Sequence, residues 1–193
     1  MRWEQLFNDL DAQFDDLADA QMMAELADRQ RVALGAVTMG QRIAGAIGRP
    51  VRVRTAVGLA VAGTLRKVGP DWLLLQESIG REALVATAAV TMVEGLSSSS
   101  ASPLGGIDLR LDLRFVLRGL ARDRAPVAVV VRGGGGDPVG LHTESTGTID
   151  RIGADFLELA VHAPWEPRRA ASVRTVVLVP LVAVVLVRAL PLG

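Results

Sequence analysis

Few side chains in this 193-residue chain are placed to do covalent chemistry. Cysteine is absent, which excludes thiolate nucleophiles, disulfides and zinc sites built on Cys, and fits a reducing compartment. The two histidines, His142 and His162, lie in stretches rich in Gly, Pro and Ala with no paired carboxylates beside them. They read as solvated loop residues, and no metal site is expected. Neither the serines at 97–100 nor Ser145 belongs to a recognisable Ser-His-carboxylate motif. The glycine run 133–136 lacks the Lys-Ser/Thr and the helix start of a phosphate-cradling loop. The acidic pairs near the N-terminus fall at adjacent or helical spacing and read as a solvated face, not as an acid/base couple. The expectation is therefore a protein with no catalytic residue and no cofactor, and not an enzyme.

The residues left with chemistry to offer are bases. Arg52 and Arg54 alternate, so a strand would turn both to one face, and Arg66 with Lys67 follow on the next candidate strand. The second half supplies Arg132, Arg151, Arg168 and Arg169, with Trp165 just ahead of the last pair. Positive charge beside an exposed indole is what a single-stranded nucleic acid would use, phosphate on the guanidinium and base on the ring. The alternative is an ordinary charged surface, and the near-exclusive use of Arg over Lys also fits a GC-rich coding bias. Net charge is zero, but residues 1–30 hold eight acids against two bases, which leaves thirteen acids against nineteen bases in the rest.

These residues must be positioned by a particular order of elements. Trp3, Leu6, Phe7, Leu10, Phe14 and Leu17 recur at helical steps with acids between them, predicting an acidic amphipathic helix whose apolar stripe (Trp3, Phe7, Leu10, Phe14, Leu17) could dock a partner. A second helical pattern runs from Met23 to Ile47 and stops at Gly48-Arg49-Pro50. The period then becomes strand-like, with a turn at Gly69-Pro70-Asp71 and strand material at 82–87 and 90–93. The apolar stretch Val176 to Val187 is too short for a membrane span and contains Pro180, so it reads as buried strand. With no leader-like pattern in the acidic N-terminus, the cytoplasm is the expected location.

The same order then recurs. Residues 63–73, GTLRKVGPDWL, align without a gap on 147–157, GTIDRIGADFL. Arg49-Pro50-Val51-Arg52-Val53 matches Ala125-Pro126-Val127-Ala128-Val129, and 89–93 matches 183–187. A helix predicted over 109–120 precedes the second copy. The expected organisation is an acidic extension (1–30), a first helix with strands (31–96), a Ser/Gly-rich linker (97–106) and a second helix with strands (107–193). The second copy carries two longer loops, one at the glycine run and one over 162–169.

A helix followed by five short strands, with Gly in the second and a Gly-x-Asp-aromatic turn into the third, resembles the Sm-like (SH3-like) small β-barrel over about residues 34–95 and 109–190. The resemblance implies a mainly β, α+β chain: N-terminal acidic helix or helices, then two tandem five-stranded barrels, each preceded by a helix. The chain also resembles uncharacterised actinobacterial proteins sometimes labelled Fis-family regulators. The helix-turn-helix that label implies has no counterpart in the Val-rich C-terminus. Sm-like RNA binders carry Asn after the turn Asp and a basic-Gly step before the last strand. Here those places hold Leu74 and Glu158, and Ala86-Thr87 and Pro180-Leu181, so the resemblance carries the barrel and not its base-reading pocket. Two functions remain open. One is a non-catalytic nucleic-acid-associated regulatory protein, RNA ahead of DNA. The other is a protein-protein assembly module acting through the acidic helix and the edge strands, which also offer a route to a homo-oligomer.

Overall fold

The structure is a computed structural model and describes residues 21–133 and 142–190, apart from 30, 33 and 167. The predicted docking stripe Trp3, Phe7, Leu10, Phe14 and Leu17 lies outside the described residues. The chain divides into two compact units, residues 1–38 and 39–193. In the first, residues 21–29 are helical, and Arg29–Glu25 and Arg31–Asp28 pair along the exposed surface at 3.5 and 3.0 Å. The helical pattern that the sequence runs on to Ile47 is interrupted at 36–38.

The second unit opens with helix α1 (Met39–Ala44), and Gly48 adopts φ +84° in the turn into the sheet, a conformation that favours glycine. Five strands follow: β1 (Pro50–Thr55), β2 (Ala60–Val68), β3 (Trp72–Ser78), β4 (Arg81–Ala86) and β5 (Val90–Glu94). Helix α2 (Leu113–Asp123) leads into β6 (Pro126–Arg132), β7 (His142–Ile152), β8 (Phe156–Val161), β9 (Thr175–Pro180) and β10 (Val184–Ala189). The sequence places this helix over 109–120, but it begins at Leu113. Asp112 takes the N-cap, its side chain accepting from the Phe115 amide at 2.7 Å, so residues 108–110 form only a 3₁₀ turn.

All ten strands join one antiparallel sheet in the order β5-β1-β2-β3-β4-β10-β6-β7-β8-β9. The architecture is thus mainly β with a few helices, and each half repeats the same internal order, fifth-first-second-third-fourth. The halves are continuous, not separate: β10 pairs with β4 through Leu186↔Val85, Val187↔Leu84 and Arg188↔Ala83.

The repeat seen in the letters is physical. A Cβ at Gly63 would run into the Gln76 carbonyl and one at Gly147 into the Ala160 carbonyl, so each strand crosses its neighbour at a place only glycine fits. Starting two residues further on, both ladders carry a bulge, between Leu65 and Lys67 and between Ile149 and Arg151, which bends β2 and β7 alike. The turn amides close the same way, Gly69 to the Trp72 carbonyl at 2.9 Å and Gly153 to that of Phe156 at 2.8 Å. Asp71 and Asp155 carbonyls accept from Thr87 and Leu181 in the two 3₁₀ turns. Alternation along β1 buries Val51, Val53 and Thr55 and exposes Arg52 and Arg54. One apolar core runs through both halves, from Val53, Leu65 and Leu75 to Leu117, Ile149, Leu159 and Leu186.

The segment predicted as a linker lies against the first helix: Arg42 donates to the Ser99 carbonyl at 2.8 Å, and the Ala101 amide donates to that of Gln41 at 2.9 Å. Trp72, buried to 3%, donates its indole N–H to the Leu111 carbonyl at 2.6 Å, and Asp71 accepts from the Leu113 amide at 2.8 Å. The first half therefore fixes the start of α2.

Candidate anion-binding recess

The bases singled out in the sequence fall into two groups. On the first half, Arg52 and Arg54 occupy one exposed face of β1 as their alternation requires, and Arg66 and Lys67 stand exposed at the bulge of β2. Arg54 is already engaged: its Nε donates to Glu94 Oε1 at 2.7 Å. On the second half, Arg132 is exposed at the end of β6, and Arg169 and Trp165 are exposed in the loop between β8 and β9, the indole at 77%.

The structure brings Arg151 and Arg168 together with two bases left outside the predicted set, Arg122 and Arg124. They line an open recess of about 440 Å³ with Ala121, Ile149 and Asp150. Each comes from a different device. Arg122 is in the last turn of α2, where a cation also suits the negative end of the helix dipole. Arg151 follows the β7 bulge, its side chain 79% exposed and 3.7 Å from Glu158. Arg168 comes from the inserted loop and forks onto Asp150, Nε to Oδ1 at 2.6 Å and Nη2 to Oδ2 at 2.5 Å. The Arg168 hydrogen bonds hold the Asp150 carboxyl below the usual carboxylate range. Burial opposes them, and the charges of Arg168, Arg124 and Arg151 add to them. Four arginines thus line one recess, Arg168 bound to Asp150 and Arg151 3.7 Å from Glu158, which leaves an excess of positive charge there.

Arg124 is the telling member. It closes α2 in the left-handed conformation, φ +50°, and is the one non-glycine residue with positive φ among those described. Counting back from the matched Pro50 and Pro126, its counterpart in the first half is Gly48, at φ +84°. Where one repeat uses the relaxed residue, the other holds an arginine in a conformation that costs an L-residue roughly 1–2 kcal/mol. A non-glycine backbone held in that conformation beside a charged recess points to a use for its guanidinium.

The histidine reading is corrected. His162 is not solvated: it is 2% exposed, its Nδ1–H donates to the Ala163 carbonyl at 2.8 Å, and the Thr148 hydroxyl donates to Nε2 at 2.9 Å. The inserted loop begins with this buried anchor, a role its Gly/Pro/Ala-rich context concealed. His142 likewise stands in β7 and not in a loop. Asp71, the other perturbed carboxyl, is pushed up chiefly by burial, against the Leu113 amide that lowers it, and with Asp112 adding to the rise. Its bond to that amide marks it as a structural link between the halves.

No helix among the described residues is long and apolar enough to cross a membrane, and the Val176–Val187 stretch forms β9, a 3₁₀ turn and β10; the buried-strand reading holds for β10 but not for β9, where Val176 and Leu178 are more than half exposed at the sheet edge. Comparison with protein-family models, curated proteins and solved structures finds no match. The functional reading rests on the geometry.

Proposed function

We propose that residues 39–190 comprise two Sm-like small barrels fused through β4 and β10, and that the protein is a non-catalytic, nucleic-acid-associated regulatory protein. Arg122, Arg124, Arg151 and Arg168 hold backbone phosphate of a single strand, RNA ahead of DNA. The observation that carries the reading is Arg124, kept in a left-handed turn where the other repeat has glycine, with its charge in a recess shared with three further arginines. Trp165, three residues before Arg168 in the same loop and 77% exposed, offers a base a stacking surface. The resemblance to RNA-associated barrels orders RNA before DNA; the absent base-reading pocket makes binding sequence-tolerant.

Fluorescence anisotropy with labelled single-stranded RNA, single-stranded DNA and duplex DNA tests this. The expected order is RNA, then single-stranded DNA, then duplex, with little dependence on sequence. Absence of binding to all three at low salt overturns the proposal.

A further inference from the structure

The recess lies between the end of α2 and the bulge of β7, and the first repeat has the same corner between the end of α1 and the bulge of β2. There the Gly48 amide donates to the Leu65 carbonyl at 2.8 Å and the Leu65 amide donates to that of Arg49 at 3.0 Å, which fastens the turn after α1 to β2. Arg49 closes that turn, and Arg66 and Lys67 follow Leu65. Successive residues of a regular strand face opposite ways, but at the bulge Arg66 and Lys67 are both exposed, as is Arg49. None of the three pairs with a carboxylate among the described residues.

The two corners do not copy one another residue by residue. Gly48 answers to Arg124, Arg49 to Ala125 and Arg66 to Asp150; of these matched places only that of Lys67 and Arg151 is basic in both. Arg168 comes from the loop inserted in the second repeat. Each corner thus reaches an excess of positive charge with its own residues. Charge carried over by the repeat would sit at matched positions, so charge supplied at unmatched ones points to a use the corners share. In the first corner no acid stands at the place of Asp150. Three like charges held together repel, and that cost returns nothing inside the chain unless an anion meets them.

We propose that Arg49, Arg66 and Lys67 form a second backbone-phosphate site, engaged by a strand already held in the recess, a site that rests on the nucleic-acid reading. It is the weaker of the two. It has three bases against four, one of them a lysine that meets phosphate as a point charge and not as a fork, and neither the turn nor the bulge carries an aromatic ring. A short strand therefore fills the recess alone. On a strand long enough to reach both corners, the second contact is intramolecular and adds affinity without a second molecule.

Salt titrations of labelled, unstructured single-stranded RNA of increasing length test this. For the wild type, the slope of log affinity against log salt should be near −2 with strands of about 6 nucleotides and steepen to about −4 with strands of about 30, as about three further phosphates are neutralised. An Arg49→Ala, Arg66→Ala, Lys67→Ala triple variant changes only exposed side chains and keeps the wild-type circular dichroism. It should bind the shortest strands as the wild type does and hold its slope near −2 at every length. A control variant, Arg81→Ala, Arg110→Ala, Arg118→Ala, removes as many exposed bases outside the corner and should steepen like the wild type. A wild-type slope that ignores length, a corner variant that steepens like the wild type, or a control that loses the steepening overturns the second site and leaves the recess standing. A wild type that binds no strand of any length overturns the nucleic-acid reading and this site with it.

Discussion

Replacing Arg124 by Gly and, separately, by Ala divides its backbone strain from its charge. Arg124 is exposed at the C-terminus of α2 with φ +50°. Both substitutions remove a cation from the helix end, a loss of about 0.3 kcal/mol at such an exposed site. Alanine inherits the left-handed strain of roughly 1–2 kcal/mol, whereas glycine escapes it and gives back about 0.5–1 kcal/mol through the greater freedom of the unfolded chain. The Gly variant should therefore be about 0.5–1 kcal/mol more stable than the Ala variant, and close to the wild type or slightly above it. Urea unfolding followed by circular dichroism reads this difference. In the same preparations both variants should bind single-stranded RNA more weakly, with the slope of log affinity against log salt shallower by roughly 0.7, one phosphate contact. A residue whose replacement by glycine leaves stability unharmed and binding reduced is held for function. Equal stability of the two variants would refute the strain argument, and undiminished binding by both would refute the role of the guanidinium.

Three further outcomes follow from the packing. Trp72→Phe should lose about 1–3 kcal/mol by leaving the Leu111 carbonyl without its indole donor, and Trp72→Ala about 3–5 kcal/mol, both read by urea unfolding; a Phe variant as stable as the wild type contradicts the link between Trp72 and the segment before α2. Gly147→Ala and Gly63→Ala should each destabilise by about 1–3 kcal/mol, because the added methyl meets a carbonyl of the neighbouring strand; thermal melts of the two should fall together, and an unchanged melt in either one breaks the equivalence of the repeats. Asp150 has its pKa lowered in the fold, so its contribution is fully present above the usual carboxylate range and is lost as pH falls through the lowered value. The stability gap between wild type and Asp150→Asn should stay constant from neutral pH down to about 4 and close below it; a gap that widens on acidification has the wrong sign for this account.

The repeat was legible because its signature is local. The Gly-x-Asp-aromatic turns close within a few residues, and Gly63 and Gly147 are fixed by the next strand of the same hairpin, at Gln76 and Ala160, so the sequence shows them directly. The alternation of Arg52 and Arg54 likewise set their face. What the sequence could not show was relation at a distance. The β4–β10 pairing joins strands a hundred residues apart, and no pattern in either announces the other. The recess depends on it in the same way: Arg122 and Arg124 end a helix, Arg151 follows a bulge and Arg168 arrives on an inserted loop, so four ordinary surface arginines become a group only once the register is known. The one sequence signal was comparative, an arginine where the other repeat has Gly48. His162 misled because a Gly- and Pro-rich context suggests solvent, while the ring is buried with the Thr148 hydroxyl, one strand away, as its partner.

The most direct test of the recess is a salt titration of single-stranded RNA binding, comparing the wild type with an Arg122→Ala, Arg124→Ala, Arg151→Ala triple variant that leaves the Arg168–Asp150 pair in place. With about three phosphates neutralised, the wild-type slope of log affinity against log salt should be near −2, and the triple variant should lose most of both the affinity and the slope while keeping its circular dichroism spectrum. A triple variant that binds RNA as the wild type does, with the same slope, contradicts the account.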